Sequence, residues 1–75
     1  LSAQFTKETG ISFSAYIRQY RIRQAKFILV NTDRKMQEVG VNVGYADPAY
    51  FNRIFRSECG MTPTEYRKNF KAGTL

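Results

Sequence analysis

Apolar positions recur along this chain at helical rather than strand spacing, and capping residues cut the pattern into segments. Over residues 1–9, Leu1, Gln4, Phe5 and Glu8 share one face, and Gly10 follows as the residue type suited to the left-handed position after a helix. Ser12 is placed to N-cap a long second segment, in which Tyr16, Ile17, Tyr20, Ala25, Ile28 and Leu29 recur at helical intervals until near Asn31. At about 1.5 Å per residue this helix is about 26 Å long. A shorter helix of about nine residues comes next, capped by Thr32 or Asp33, with Met36, Val39 and Val43 on one side and Gly44 at its end. Tyr45 and Ala46 turn the chain. Asp47 before Pro48 is a strong start signal, because the carboxylate caps free N–H groups and proline has none to lose. The helix it opens buries Phe51, Ile54 and Phe55 and stops at Gly60. Thr62, Pro63, Thr64 and Glu65 form a capping box for a last helix through Phe70. No strand pattern competes, so the fold class is all-α.

The pattern also repeats. Phe5, Glu8, Gly10 and Tyr16 recur fifty positions later as Phe55, Glu58, Gly60 and Tyr66, while Leu1/Phe51, Ile11/Met61, Ser12/Thr62 and Ser14/Thr64 match in kind. A fixed offset of this sort marks two similar supersecondary units in tandem, the first lacking its beginning.

Composition narrows the chemistry. Seventy-five residues make at most one small domain, which buries about 60% of its unfolded surface. Twelve Lys and Arg against six Asp and Glu give a net charge of +6, which points to a polyanion such as nucleic acid or an anionic membrane surface, or else to a basic solvated surface. The lone Cys59 excludes an intrachain disulfide and fits a reducing compartment. No apolar run reaches the ~18 residues of a membrane span and no signal-peptide pattern opens the chain, so the expectation is a soluble, cytoplasmic protein or a part of one. With no His and no metal-ligand cluster, and with Cys59 at a helix end without a nearby base, neither an enzyme nor a bound cofactor or metal is expected. Five Tyr and six Phe could stack on single-stranded bases. Phe5, Tyr16, Phe51, Phe55 and Tyr66 lie on inward stripes, however, and core packing is the simpler account.

The short helix, its Gly-containing turn and the helix from Pro48 describe a helix-turn-helix. Gly40 carries no side chain where the two helices must approach, and Gly44 can take the positive φ that ends the first of them. With Phe51, Ile54 and Phe55 inward, the outward positions are Pro48, Ala49, Asn52, Arg53 and Arg56. Small residues at the leading end would let this helix enter a major groove, Asn52 and Arg53 could read base edges, and Arg56 could reach a phosphate. The alternative is a solvated face on which Arg53 pairs with Glu58 or Glu38.

Two runs carry a family resemblance: R-I-R-Q-A-K-F-I-L-V-N-T, and M-Q-E-V-G-V-N-V-G-Y-A-D-P-A-Y-F-N-R-I-F-R-S-E-C-G-M-T-P-T-E-Y-R. They resemble the signature of the AraC/XylS transcriptional regulators, and L-S-A-Q-F-T-K-E-T-G-I-S-F-S-A-Y resembles that family's first recognition helix and the start of its linker helix. The resemblance implies homeodomain-like helix-turn-helix units in tandem joined by a long linker helix, each placing a recognition helix in the major groove, with the first unit incomplete here. It divides the chain into a remnant of the first unit at 1–11, the linker helix at 12–31, and the second unit with a C-terminal helix at 32–75.

Carried across residue by residue, it implies base contacts from Ser2, Ala3, Pro48, Ala49, Asn52 and Arg53, and phosphate contacts from Thr6, Lys7, Arg21, Lys35 and Arg56. Arg21 matches a characteristic family arginine with a partly structural role. Arg18, Arg21, Arg23 and Lys26 give the linker a basic flank, to be read either as phosphate contacts or as solvated heads on stems that cover the core. Gly40 departs from the alanine common at its position, at a cost of about 1 kcal/mol at most. The implied partners are double-stranded DNA, RNA polymerase and a sensor or receiver domain outside this chain, with no membrane. The segment through Phe13 is similar to members fused to a phosphoacceptor receiver domain. A helical protein-interaction module that touches RNA polymerase or a regulatory domain is the competing expectation.

Overall fold

Ser12 opens the long helix as its spacing predicts: in a computed structural model that describes residues 10–71, its hydroxyl accepts the Ala15 N–H at 3.1 Å. Helix α1 runs Phe13–Asn31, α2 Met36–Asn42, α3 Pro48–Cys59 and α4 Pro63–Phe70, with no strand among the described residues. The helix expected over 1–9 lies outside the described residues, and so do Phe5 and the candidate contacts Ser2, Ala3, Thr6 and Lys7.

Thr32 does not cap the second helix. It closes the first, its N–H and its hydroxyl both donating to the Ile28 carbonyl, at 3.0 and 2.8 Å. Helix α2 therefore starts later than expected, at Met36, and has seven residues. Lys35 occupies its N-cap, where a side chain without oxygen cannot accept from the helix, and the Glu38 carboxylate instead reaches back to the Lys35 N–H at 3.2 Å.

The turn into α3 follows from two backbone facts. Gly44 sits at φ 105°, a region open to glycine and strained for side chains. The Tyr45 N–H then donates to the Gly40 carbonyl at 2.7 Å, which folds the chain back on α2. Asp47 caps α3 by accepting the Ala49 N–H at 3.0 Å, with Pro48 in the first turn and Gly60 at φ 84° after the last. Thr62 and Glu65 exchange reciprocal bonds of 3.2 and 2.9 Å at the start of α4, completing the capping box.

The core joins Ile22, Ala25 and Leu29 of α1 to Val39 and Val43, Tyr45, and Phe51 and Phe55 of α3. Phe55 is fully buried, with the Phe51 ring 5.9 Å and the Tyr66 ring 5.6 Å away, both edge to face. A side chain of that size contributes about 1.5 to 3 kcal/mol by burial. Two sequence expectations change here. Tyr16 and Tyr20 are 37% and 48% exposed, so the buried stripe of α1 runs through Ile22, Ala25 and Leu29. Tyr45, read as a turn residue, is part of the core, because the backbone bond to Gly40 draws it inward.

Polar contacts tie the helices at their ends. Arg18 of α1 pairs with Glu58 of α3 at 2.6 Å. Arg67 of α4 donates to the Leu29 carbonyl at 3.0 Å and the Thr32 carbonyl at 3.2 Å, satisfying groups that the end of α1 leaves open. Lys71 pairs with Asp33 at 2.8 Å.

Candidate nucleic-acid interface

Helix α3 has two unlike faces, set by the period of the helix. Phe51 and Phe55 are pinned in the core at 2% and 0% exposure, while Pro48, Ala49, Asn52, Arg53 and Arg56 are all exposed. Residues 49, 52, 53 and 56 fall three or four apart and form one outward stripe. The Asn52 amide and the Arg56 guanidinium have no hydrogen-bond partner among the described residues, so donors and an acceptor stand ready for an external one. Arg53 pairs with neither carboxylate considered for it. Glu58 is held by Arg18, Glu38 bonds the Lys35 N–H, and the Arg53 guanidinium lies over the Tyr50 ring, 5.5 Å from its centre.

The seating of this helix depends on the approach of α2. A Cβ at Gly40 would stand 3.1 Å from the Phe51 ring and 3.1 Å from the Tyr45 carbonyl oxygen, tight enough that the neighbours must yield. Glycine thus sets how closely α3 lies on α2. At Gly44 the close neighbour is Arg21, whose guanidinium carbon would be 2.9 Å from an added Cβ.

The basic flank of α1 is engaged within the protein. Arg18 bonds Glu58, Arg21 lies over the Tyr45 ring at 5.3 Å, Arg23 over Tyr20 at 5.9 Å, and Lys26 over Tyr66 at 5.7 Å. Arg21, expected on a phosphate and in a partly structural role, lies beside Gly44 and over the Tyr45 ring, between α1 and the turn. Lys35 is exposed at the start of α2. Sequence reasoning passed over Tyr50 and Arg67. The three-residue spacing of Tyr50 and Arg53 was visible in the sequence; the reach of Arg67 to carbonyls more than thirty residues away was not.

A family profile described as a helix-turn-helix domain matches residues 1–69. The chain belongs to the AraC/XylS-type helix-turn-helix family. The transcriptional activator RhaR of Yersinia pseudotuberculosis is 37% identical over 70 residues, which are 93% of this chain and 24% of RhaR. The chain thus spans about a quarter of the length of the curated relatives it matches. The C-terminal domain of the two-component response regulator yesN from Fusobacterium nucleatum superposes with a TM-score of 0.85 at 39% identity, over 89% of this chain and 65% of that one. The DNA-binding domain of AdpA, solved in complex with a target DNA, superposes at 0.86 with 26% identity, over 92% of this chain and 62% of that one. This AraC/XylS-type chain is a DNA-binding unit of the kind found in transcription regulators, and its relatives are regulators rather than enzymes. No helix among the described residues is long and apolar enough to cross a membrane.

Proposed function

We propose that α3 enters the major groove of duplex DNA and reads sequence there, as part of a longer cytoplasmic regulator of transcription. The observation that carries this reading is the outward stripe of α3, with Asn52, Arg53 and Arg56 exposed on a helix whose other face is locked by Phe51 and Phe55. Asn52 offers the paired donor and acceptor that suit adenine, Arg53 the fork that suits guanine, and Pro48 and Ala49 apolar surface for a thymine methyl. Arg56, Lys35 and Arg21 supply phosphate attraction, and Arg21 also holds the turn in front of α3. Ser2 and Ala3, with Thr6 and Lys7 for phosphates, would supply a second and weaker set of contacts from the sequence before the linker. The division at 1–11, 12–31 and 32–75, RNA polymerase as a partner, and a sensor or receiver domain elsewhere in the protein complete the proposal.

Binding to duplexes selected from a randomised library, titrated at several salt concentrations, tests it. Arg53→Ala is expected to cost about 1 to 3 kcal/mol and relax preference at one base pair, and Arg56→Ala to lower the salt slope by about one while leaving preference intact. Absence of measurable duplex binding by the full-length protein would instead favour the protein-interaction module.

A further inference from the structure

Arg53 is joined to α1 by two rings in contact, each carrying a guanidinium. The Arg21 guanidinium lies 5.3 Å from the centre of the Tyr45 ring, Tyr45 meets Tyr50 edge to face at 5.7 Å, and Tyr50 carries the Arg53 guanidinium at 5.5 Å. The series is anchored at one end and open at the other. Tyr45 is only 9% exposed and also stacks on the buried Phe51 at 6.0 Å, so its position is set by the core. Tyr50 is 44% exposed and reaches the surface beside the outward stripe.

We propose that Tyr50 is a positioning residue for base recognition: its ring, braced from behind by Tyr45, holds the Arg53 guanidinium ready for the base edge. The inference rests on the reading of Arg53 as a base reader. An arginine carries many rotamers, and each one lost on binding weakens the complex. A ring beneath the guanidinium removes part of that loss before DNA arrives, and it keeps the planar fork oriented. Tyr50 lies one turn before Arg53 on the same helix, the spacing at which side chains meet. Without the shelf, Arg53 would still attract phosphate from any orientation but would choose less well among bases.

The test compares Tyr50→Phe and Tyr50→Leu in the full-length protein, each with and without Arg53→Ala, on a duplex selected by the wild type and on its single-base variants. The expected result is that Tyr50→Leu lowers preference at the Arg53-dependent base pair by about threefold, a loss of the size of an exposed cation–ring contact. Salt slope and affinity for unselected duplex should stay as in the wild type. Tyr50→Phe, which keeps a ring, should retain most of the preference, and Tyr50→Leu should have no further effect once Arg53 is alanine. An unchanged preference in Tyr50→Leu, where Arg53→Ala abolishes it, overturns the proposal while leaving the reading of Arg53 standing. So does a Tyr50→Leu effect of equal size in the Arg53→Ala background, which would make Tyr50 a DNA contact or a stabiliser of the fold. If Arg53→Ala alone leaves preference unchanged, that arm shows that the underlying reading has failed, and Tyr50 loses its role with it.

Discussion

Toward its C-terminal end α1 buries Ala25 and Leu29 completely, whereas toward its N-terminal end Phe13, Tyr16 and Tyr20 are 45%, 37% and 48% exposed. Both halves are rich in large apolar or aromatic side chains, so hydrophobicity does not separate them. What separates them is the company they keep among the described residues. The later half lies under α2, α3 and α4, and its end is strapped by Arg67. The earlier half meets α3 and the turn before it through guanidinium groups, Arg18 on Glu58 and Arg21 on Tyr45. One continuous helix thus serves as core at one end and as a polar brace at the other.

The sharpest way to break this contrast is to empty the core side. Leu29→Ala should destabilise by about 2 to 5 kcal/mol, measured by urea unfolding, because it leaves a cavity where the later half of α1 is buried in the core. Tyr20→Ala on the other half should stay within about 1 kcal/mol of wild type. Comparable losses from the two substitutions would end the distinction.

Arg67→Met sharpens it next. Removing the guanidinium leaves the carbonyls of Leu29 and Thr32 without their donor, at a cost of about 1 to 3 kcal/mol, and amide exchange should rise first around 29–36. Arg18→Ala should cost less, about 1 kcal/mol or below, since the Arg18 side chain is 39% exposed and water screens the pair. Its effect should shrink in high salt. A larger loss than for Arg67→Met would reverse the assignment of core and brace.

The smallest expected effect is a pH dependence at Asp33. The hydrogen bond from Lys71, followed by the charge of that same group, holds the Asp33 carboxyl below its ordinary value. A depressed folded-state pKa contributes stability that is present above the unfolded value and lost as pH falls through the folded one. Asp33→Asn should therefore be slightly less stable than wild type near neutral pH, and the two unfolding curves should converge in acid. Convergence on the alkaline side instead would contradict the assignment.

Much of this architecture was legible from caps. Ser12, Asp47 with Pro48, Gly60 and the Thr62 to Glu65 box each act locally, within four residues, and local hydrogen bonds do not depend on the rest of the fold. Thr32 misled because one hydroxyl can serve the end of one helix or the start of the next, and only the path of the chain decides which. Tyr45 was missed for a related reason: a residue in a turn carries no periodicity to betray its burial. The outward stripe of α3 could be read from spacing, since the same period that places Phe51 and Phe55 inward turns Asn52, Arg53 and Arg56 out. The engagement of Arg18 and Arg21 could not, because their partners Glu58, Gly44 and Tyr45 are brought to them by folding.

The unbroken nineteen residues of α1 also fix an azimuth. Deleting one residue from its middle would shorten it by only about 1.5 Å, yet would swing everything on its N-terminal side by about 100° relative to α3. Removing seven would return the bearing to within about 20° while shortening the rod by about 10 Å. The first change is nearly invisible to a ruler and ruinous to a compass; the second is the reverse. A series of such deletions would show whether the second reader proposed before the linker depends more on where it stands along the duplex or on which way it faces.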